Sequence, residues 1–488
     1  MSTGPTVIVL AAGGGTRMRS KTMKVLHPIA GRSMIGHVLT AAYAVEPARV
    51  VLVVGHQREA VAAHVQERFP DVLLAVQEEQ LGTGHAVRVA VEAATADGQG
   101  MDGTVLVAYG DTPLLTGETL REFAAEHEAA QRAVSILSGI VPNPFGYGRV
   151  LRNEEGDVEA IVEEKDATPR QREVREINSG ILAFDAEFLA SALPRIGNDN
   201  AKGEYYLTDA IAIAREDGLT VGAFPVADVD QTEGVNDRVQ LAKMGAELNR
   251  RIVERWMREG VTVMDPATTW IDADAVLGND AIILPGVQLL GTTVVGEDAV
   301  VGPACTLKDC EIGVGARVVR PHGELAVIGD GAAVGPFSYL RPGPTLGAGG
   351  KIGAFVETKN ATIGEGAKVP HLSYVGDAEI GEGTNIGAGT IFANYDGVKK
   401  HRTTVGKHAR TGSNNTFVAP VEIGDGAATG AGSVVRRDVP PGALSVSAGP
   451  QRTIDGWTLE KRAGTAQAEA AQQALDARQD GEGDVAES

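Results

Sequence analysis

Short apolar runs alternate with longer amphipathic stretches over the first half of the chain. Four runs have the length and composition of buried strands, and they lie at residues 6–10, 49–54, 73–76 and 104–108. Helical patterns follow them at residues 33–45, 59–68, 84–96 and 117–130. This alternation predicts a mainly parallel sheet with helices on both faces, whose ligands bind at the carboxyl ends of the strands.

A less regular region separates this alternation from the second half of the chain. The pattern is mixed over residues 133–226, and a long helical pattern with many charges covers residues 237–259. We interpret the helix as a connecting arm. The sequence thus predicts an N-terminal α/β domain at residues 1–236 and a helical linker at residues 237–260.

A six-residue rhythm replaces the helical periodicity after about residue 261. An aliphatic residue followed by glycine recurs six positions apart, at Val295-Gly296 and Val301-Gly302, Ile328-Gly329 and Val334-Gly335, Leu346-Gly347 and Ile352-Gly353, and Ile380-Gly381 and Ile386-Gly387. Such hexapeptide repeats build a triangular parallel β-helix, commonly left-handed, in which the aliphatic side chain points inward and the small residue permits the corner. We expect this domain to span residues 261–460.

Two segments depart from the rhythm. The step from Ile386 to Val405 is 19 residues, and the polar, basic segment 394–401 lies within it. Insertions in a solenoid form loops on one face, which is often the binding face. After the repeats, residues 466–488 hold six acidic side chains and one basic one. We predict that residues 461–488 form a disordered acidic tail.

Composition narrows the functional classes. With 44 basic and 64 acidic residues the formal charge is −20, which argues against non-specific nucleic-acid binding. The two cysteines, Cys305 and Cys310, form neither a disulfide framework nor a zinc site, and we expect buried thiols. The N-terminus resembles a strand more than a signal peptide, and no apolar run is long enough for a membrane span. The expected compartment is the cytoplasm.

A glycine-rich segment, Gly13-Gly14-Gly15-Thr16-Arg17, follows the first predicted strand. Glycines bring backbone N–H groups close to a phosphate chain, while Arg17 and the nearby Lys24 offer positive charge. The segment is not a Walker loop, because it lacks the G-x-x-x-x-G-K pattern. The alternative, a plain strand-to-helix turn, does not account for the two cations.

A carboxylate, Asp111, ends another predicted strand in the segment Tyr109-Gly110-Asp111. This position suits Mg²⁺ bound to phosphates, although an aspartate can also cap the next helix. Residues 77–84 contain amide and small side chains that suit a nucleobase edge, which by itself is a weak signal.

A second group of polar residues lies within the repeats. His371 is preceded at about one-coil intervals by Arg341 and Lys359 and followed by Asn394-Tyr395. A lone histidine is usually structural, but a solenoid surface has little other reason to gather these side chains. His371 is therefore a candidate general base.

The opening motif, the segment Lys24-Val25-Leu26 and the pair Gly110-Asp111 resemble the sugar-nucleotide pyrophosphorylase family in order and spacing. With the β-helix behind them, residues 5–460 resemble the bacterial family of bifunctional N-acetylglucosamine-1-phosphate uridylyltransferases and glucosamine-1-phosphate N-acetyltransferases. The resemblance implies a Rossmann-like nucleotidyltransferase domain and a homotrimer whose acetyltransferase sites are shared between neighbours. It also implies synthesis of UDP-N-acetylglucosamine for peptidoglycan from UTP and acetyl-CoA.

The resemblance also implies roles for individual residues in uridylyl transfer. Asp111 and Asn236 would bind Mg²⁺, and Gly148, Glu163 and Asn178 would hold the N-acetylglucosamine. The complete set implied for UTP and UDP-N-acetylglucosamine is Leu10, Ala11, Ala12, Gly13, Arg17, Lys24, Gln77, Gly82, Thr83, Tyr109, Gly110, Asp111, Gly148, Glu163, Asn178 and Asn236.

For acetyl transfer the resemblance makes His371 the general base. The residues implied for the sugar phosphate are Arg341, Lys359, Tyr374 and Asn385, and those implied for acetyl-CoA are Ala388, Asn394, Tyr395, Ser413, Ala431 and Ala448. The family often carries arginine where this chain has Ala448, so Arg452 is an alternative contact for the CoA phosphates. Met23 stands where the family usually has proline, which affects backbone rigidity and leaves Lys24 in register.

Two alternatives from other functional classes remain at this stage. One is a single-activity sugar nucleotidyltransferase whose β-helix only oligomerises it, and the other is a non-enzymatic scaffold. His371 with the Asn394-Tyr395 segment disfavours the first, and the glycine-rich loop with Asp111 and Asn236 disfavours the second.

Overall fold

The N-terminal half folds around a mixed sheet. The computed structural model describes residues 4–55, 58–96, 98, 100–200, 202–447 and 449–483. The strands of this half are β1 (Thr6–Leu10), β2 (Pro28–Ile29), β3 (Arg32–Ser33), β4 (Arg49–Val54), β5 (Leu73–Val76), β6 (Thr104–Tyr109), β7 (Val134–Ile140), β8 (Gly148–Arg152), β9 (Val158–Val162), β10 (Glu176–Asp185) and β11 (Val221–Pro225). The main sheet runs β11-β7-β10-β6-β1-β4-β5, β8 pairs with β10 and β9, and β2 with β3 forms a separate hairpin.

Helices cover both faces of this sheet. They are α1 (Met34–Tyr43), α2 (Arg58–Arg68), α3 (Thr83–Ala94), α4 (Gly117–Ala129), α5 (Pro169–Arg172), α6 (Ala186–Ala192), α7 (Asp209–Glu216) and the arm α8 (Arg238–Arg258), with 3₁₀ turns at Thr16–Met18, Lys24–Leu26, Leu193–Arg195 and Val229–Thr232. Strand β1 lies parallel between β4 and β6, as the sequence predicts, whereas β10 is antiparallel to β6 and β7. The predicted strands β1, β4, β5 and β6 are parallel as expected, whereas β10 is also antiparallel to β8, and β8 and β9 are antiparallel to each other.

The second half winds as three ladders of short parallel strands, which is a parallel β-helix. The first ladder holds Thr262–Val263, Ile282–Ile283, Val300–Val301, Arg317–Val318, Ala333–Val334, Lys351–Ala354 and Lys368–His371, and Ala428–Thr429 pairs with Leu444–Ser445. The second ladder holds Trp270–Ile271, Gln288–Leu290, Thr306–Lys308, His322–Glu324, Tyr339–Leu340, Ile391–Ala393, Thr416–Val418 and Val434–Val435. The third holds Val276–Leu277, Val294–Val295, Glu311–Ile312, Val327–Ile328, Thr345–Leu346, Thr403–Val405 and Val421–Ile423, and the long strands Glu357–Ile363 and Tyr374–Ile380 join the second and third ladders.

The hexapeptide rhythm determines the interior of the β-helix. Aliphatic side chains one coil apart stack on one another, as Ile283, Val301 and Val318 do, and each is buried. Glycine is needed where coils approach closely: a Cβ at Gly296 would lie 2.7 Å from the backbone N of Val314. Both cysteines are buried in this core, and burial raises the pKa of the Cys305 thiol to about 11. The prediction of inert structural thiols agrees with this burial.

The arm α8 connects the N-terminal half to the β-helix and forms hydrogen bonds with the first coil. Its N-cap Asp237 accepts hydrogen bonds from the backbone N–H groups of Val239 and Gln240, both at 2.9 Å. Farther along, the buried Asn249 side chain donates to the carbonyl of Thr269 at 2.8 Å and accepts from the N–H of Ile271 at 3.0 Å. The arm therefore continues the core of the first coil and is more than a spacer.

The β2–β3 hairpin also contacts the first coil. The Ala273 N–H donates to the Ala30 carbonyl at 2.9 Å, and a Cβ at Gly31, whose φ is +77°, would collide with the Asp272 carboxylate. Beside them Asp274 accepts from Arg32 at 2.5 Å and from Arg68 at 2.8 Å. These two guanidinium groups hold the pKa of the Asp274 carboxyl far below its usual range.

We predict that Asp274→Asn loosens this contact between the two halves by roughly 1–2 kcal/mol at pH 7. Because the pKa of Asp274 is lowered in the folded chain, its stabilisation is present above the unfolded carboxyl pKa and is lost as the pH falls through the folded value. Hydrogen exchange at the Ala273 amide measures the effect. Faster exchange is expected in the variant, and unchanged exchange would contradict the prediction.

The C-terminal tail differs from the prediction of disorder. Residues Trp457–Lys461 and Ala466–Gly483 form helices α9 and α10, which pack on each other. The tail is rich in alanine and glutamine, which have high helix propensity, so it forms helices without needing a core of its own. Among the residues described, none of the helices combines the length and apolar composition needed to cross a bilayer.

Candidate active sites

A cavity of about 350 Å³ opens at the carboxyl ends of β1 and β6. The lining residues are Leu10, Ala11, Ala12, Gly13, Lys24, Val25, Gln77, Gln80, Gly82, Thr83, Ala86, Tyr109, Asp111 and Glu204. Most of the residues predicted to surround the nucleotide are among them. Val25, Gln80, Ala86 and Glu204 are additions to the predicted set. The amide-rich segment 77–84 was the available signal for Gln80, and nothing in the local pattern distinguished Ala86 or Glu204.

One side of the cavity presents amides that are held in place. The Gln77 side chain is 3% exposed and donates to the Gly82 carbonyl at 3.1 Å. Gln80 donates to the Ala12 carbonyl, and the Thr83 hydroxyl accepts the N–H of Leu207 at 3.0 Å. The segment 77–83 is thereby fixed against Ala12, which directly precedes the glycine-rich loop, and against the segment that contains Leu207.

The opposite side combines cations with oxygen donors. Lys24 forms an ion pair with Asp111, and the Arg17 guanidinium donates to Asn236 Oδ1 at 2.7 Å. The N–H of Val235 donates to the Asp111 carbonyl at 2.9 Å, so the segment before Asn236 lies directly beside Asp111. All four predicted residues therefore meet, although they come from four separate parts of the chain.

The chemistry of this donor set fits Mg²⁺. Asp111 and Asn236 offer a carboxylate and an amide oxygen, and each already attracts a positively charged side chain. No group of three or more His, Cys, Asp or Glu side chains able to hold a metal occurs within the described part of the chain. Mg²⁺ commonly binds through one or two carboxylates plus substrate phosphates, so a sparse protein donor set is what this ion requires.

The residues predicted to hold the sugar also come together. Asn178 of β10 is paired with Gly148 of β8, and a Cβ at Gly148 would lie 3.2 Å from Glu163 Oε1. Burial raises the pKa of Glu163. Burial and the carboxylates of Asp111 and Glu163 raise the pKa of the Tyr109 phenol.

In the β-helix a row of equivalent positions passes through His371. The Gly389 N–H donates to the His371 carbonyl at 3.2 Å, the Asn414 N–H to the Ala388 carbonyl at 2.7 Å, and the Gly432 N–H to the Ser413 carbonyl at 2.8 Å. The exposed His371 is therefore followed on successive coils by Ala388, Ser413 and Ala431. The predicted general base and three of the residues predicted for acetyl-CoA therefore lie along one edge of the β-helix.

A cluster of cations lies on the adjoining face. Arg341 pairs with Glu357 at 3.1 Å, and Lys359 lies in the next coil. The Lys400 ammonium beside Lys359 lowers the pKa of Lys359. Lys400 was not predicted, although its basic segment was recognised as an insertion. Crowded cations of this kind suit a phosphate group.

Hydrogen bonds hold the inserted segment, residues 394–401, to this face of the β-helix. The buried Asn394 donates to Asp377 at 2.6 Å and to the Tyr374 hydroxyl at 3.4 Å. Tyr395 is exposed, and its hydroxyl donates to the Gly397 carbonyl at 2.6 Å. Asn385 forms backbone bridges to Lys368 and Arg410 in the first ladder. Ala448 lies outside the described residues, and Arg452 is exposed.

Comparisons with known proteins decide the family. A model of the MobA-like NTP transferase domain matches residues 7–172. A protein of Pseudarthrobacter chlorophenolicus named bifunctional protein GlmU is 57% identical over 475 residues, which cover 97% of this chain and 96% of the relative. Proteins of the same name from Mycobacterium tuberculosis and Streptomyces avermitilis are 57% and 58% identical, over 96% of this chain and 95% and 96% of their own lengths.

The chain belongs to the GlmU family. It is therefore a bifunctional enzyme of UDP-N-acetylglucosamine biosynthesis, with acetyltransferase and uridylyltransferase activities. This confirms the activity expected from the sequence and removes both alternatives, the single-activity nucleotidyltransferase and the scaffold. The NTP transferase model matches part of the N-terminal half, which contains the cavity at the ends of β1 and β6.

Proposed function

We propose that uridylyl transfer takes place in the N-terminal cavity and acetyl transfer along the edge that carries His371. The observation that carries the second assignment is the row of His371, Ala388, Ser413 and Ala431 on successive coils. In this proposal glucosamine-1-phosphate is acetylated first, and the product is then uridylylated. UTP, acetyl-CoA and sugar phosphates are cytoplasmic metabolites, which supports a cytoplasmic location.

The uridylyl step joins two anions. A phosphate oxygen of N-acetylglucosamine-1-phosphate attacks the α-phosphorus of UTP, and pyrophosphate leaves in line. Lys24 and Arg17 offset the repulsion, while Asp111 and Asn236 would hold Mg²⁺, which neutralises phosphate charge when bound. No protein nucleophile is needed, because the chain only has to orient the reactants and stabilise charge.

The remaining residues of the cavity divide between base and sugar. The fixed amide of Gln77 and the backbone around Gly82 suit hydrogen bonds to uracil. The cluster of Gly148, Glu163 and Asn178 suits the hydroxyl and acetamido groups of N-acetylglucosamine, since Glu163 accepts and Asn178 both donates and accepts.

The acetyl step needs a neutral amine. His371 would remove a proton from the 2-amino group of glucosamine-1-phosphate, and the neutral amine would then attack the thioester carbonyl of acetyl-CoA. The C–S bond breaks as the amide forms, and coenzyme A leaves as the thiol after its sulfur takes up the second amine proton. Arg341, Lys359, Tyr374 and Asn385 would bind the sugar phosphate, and Asn394 and Tyr395 would flank the acetyl-CoA site. The small side chains of the row leave space for the narrow pantetheine arm.

A pair of assays on one purified preparation tests this division. Thiol release from acetyl-CoA with glucosamine-1-phosphate reports the acetyl step, and pyrophosphate release from UTP with N-acetylglucosamine-1-phosphate reports the uridylyl step. Substitutions in the N-terminal cavity should affect only the second assay, and those around His371 only the first. A variant of either site that impairs both assays in a folded chain would contradict the division.

We also propose a homotrimer with shared acetyltransferase sites. An exposed apolar stripe beside His371, formed by Phe337, Phe355 and Leu372, supports it, since the two phenyl rings stack with centroids 5.4 Å apart. Their exposed fractions are 53%, 59% and 62%, which is unusual for side chains that face only water.

We predict that Phe355→Asp weakens the trimer and lowers acetyl transfer, because a charge would be desolvated in the stripe. Uridylyl transfer should be unchanged, because its site lies in the other half. Analytical ultracentrifugation alongside both assays measures the outcome. A wild-type chain that is monomeric and has full acetyl transfer would refute the shared site.

A further inference from the structure

Next to the proposed sugar residues in the chain lies an ion pair, Arg149–Glu164, to which the proposed chemistry gives no role. Arg149 is 1% exposed and Glu164 is partly exposed, and Arg149 Nη2 donates to Glu164 Oε2 at 2.6 Å. Arg149 Nε is also buried and has no hydrogen-bond partner within the described part of the chain. A buried guanidinium is costly unless it is well paired, so this arrangement requires a reason beyond ordinary packing.

Both members of the pair hold the same short segment. Arg149 donates to the carbonyl of Tyr147, and the N–H of Gly146 donates to Glu164 Oε2 at 3.2 Å. Arg172 approaches the other oxygen of Glu164 at 3.7 Å. The Arg149 guanidinium is the main cause that keeps the pKa of Glu164 low, so the carboxylate remains ionised and paired. The pair thereby fixes the backbone immediately before Gly148.

The pair is directly adjacent to the sugar residues in sequence. Arg149 follows Gly148 on β8, and Glu163 and Glu164 follow each other just after β9, which ends at Val162. Gly148 and Arg149 are successive residues of a strand, so the Arg149 side chain points away from the face of Gly148 that Glu163 approaches. Any shift of Arg149 or Glu164 would therefore move the two sugar residues next to them.

A second ion pair lies near the side chain of Tyr147. Lys243 pairs with Glu233 at 2.8 Å, and Glu233 precedes Asn236 by three residues. Burial and the Glu233 carboxylate raise the pKa of the Tyr147 phenol, while the Lys243 ammonium opposes the shift.

We propose that Arg149 and Glu164 are positioning residues for N-acetylglucosamine-1-phosphate in uridylyl transfer. They hold the segment 146–148 so that the Gly148 backbone and the Glu163 carboxylate stay in the geometry that binds the sugar. This inference rests on the proposed sugar subsite. It assigns the ion pair a function specific to one of the two substrates of the step.

The test compares the two Michaelis constants of the uridylyl step in Arg149→Met, Arg149→Lys and Glu164→Gln. In Arg149→Met the KM for N-acetylglucosamine-1-phosphate is expected to rise roughly 10- to 100-fold, because misplacement by about 1 Å can have effects of that size. The KM for UTP should change less than about twofold. Arg149→Lys keeps the positive charge but lacks the paired donors of the guanidinium group, so its KM for the sugar phosphate should lie between those of Arg149→Met and the wild type.

The KM for UTP reports whether the N-terminal half of the variant is folded, and acetyl transfer by the same preparation reports whether the β-helix is folded. Arg195→Met is the matched control, because it breaks an exposed pair with Asp217, at 2.5 Å, in the same domain. It should leave both Michaelis constants unchanged. Glu164→Gln retains an acceptor for Gly146 and removes the charge, so it serves if Arg149→Met does not fold.

Each of the following outcomes overturns the inference, and the last of them also overturns the proposed subsite. Equal rises in both Michaelis constants, or a parallel loss of acetyl transfer, would mean that the pair only stabilises the fold. If Arg149→Met leaves the KM for the sugar phosphate unchanged while Glu163→Gln raises it strongly, the positioning role is wrong and the proposed subsite stands. If Glu163→Gln itself leaves the sugar KM unchanged, the proposed subsite is wrong, and the inference that depends on it is overturned too.

Discussion

Replacing His371 with alanine is expected to lower the turnover of acetyl transfer by roughly 10²–10⁴-fold, the usual contribution of a general base. The amine of glucosamine-1-phosphate must be neutral to attack, and a base is most effective near neutral pH. His371 is exposed at the edge where Ala388 and Ser413 continue the row, so it is accessible to both substrates. Sugar affinity should change little, because Arg341 and Lys359 remain.

Steady-state thiol release from acetyl-CoA measures this effect, with uridylyl transfer as the internal control. His408→Ala is the matched variant, because His408 is another exposed histidine of the same β-helix and should have no effect. A change confined to KM with unchanged turnover would make His371 a binding residue. If neither constant changed, the base would be another group.

Asp111→Ala is expected to reduce uridylyl transfer by at least about 10²-fold and to leave acetyl transfer intact. Asp111 supplies the only carboxylate of the proposed metal pair, and its removal also leaves the Lys24 ammonium without its partner. The charge of the reacting phosphates would then be poorly offset. Asp111→Asn retains the oxygen without the charge, so it should lie between the alanine variant and the wild type.

Pyrophosphate release measured over a range of Mg²⁺ concentrations distinguishes the possible roles of Asp111. A weakened metal site should raise the Mg²⁺ concentration needed for half-maximal rate. Asp102→Ala, at an exposed position of the same domain, should behave as the wild type. If added Mg²⁺ restored wild-type turnover with an unchanged half-maximal concentration, Asp111 would not be a metal ligand.

Local patterns predicted the elements closely wherever one segment determines its own burial. The predicted strands at residues 6–10, 49–54 and 73–76 match β1, β4 and β5 residue for residue. The predicted arm at residues 237–259 is α8 within one residue at each end. Continuous apolar runs mark buried parallel strands, and an apolar stripe among charges marks a helix, so neither depends on distant partners.

The hydrophobic patterns of single segments gave no prediction where antiparallel pairing brings distant residues together. Residues 133–226 showed only a mixed pattern, yet β8, β9 and β10 pair there and bring Gly148, Glu163 and Asn178 into contact. Register between strands depends on the pairing itself, which a single segment does not reveal. These sugar residues were accessible only through the family resemblance. Nothing in the local sequence indicated that Arg149 and Glu164 form an ion pair next to them.

The amino-acid sequence by itself determined the two-part architecture, the repeat length and the chemical types of the candidate residues. Tertiary structure decided which of them meet. Spacings of 17, 25 and 18 residues separate His371, Ala388, Ser413 and Ala431, and they form one row because the insertion 394–401 loops out and the coil register then resumes. Likewise Lys24, Asp111, Arg17 and Asn236 converge only when the sheet and the start of the arm are in place. A hydrophobic pattern reports the burial of its own segment, whereas a site depends on the registers between segments.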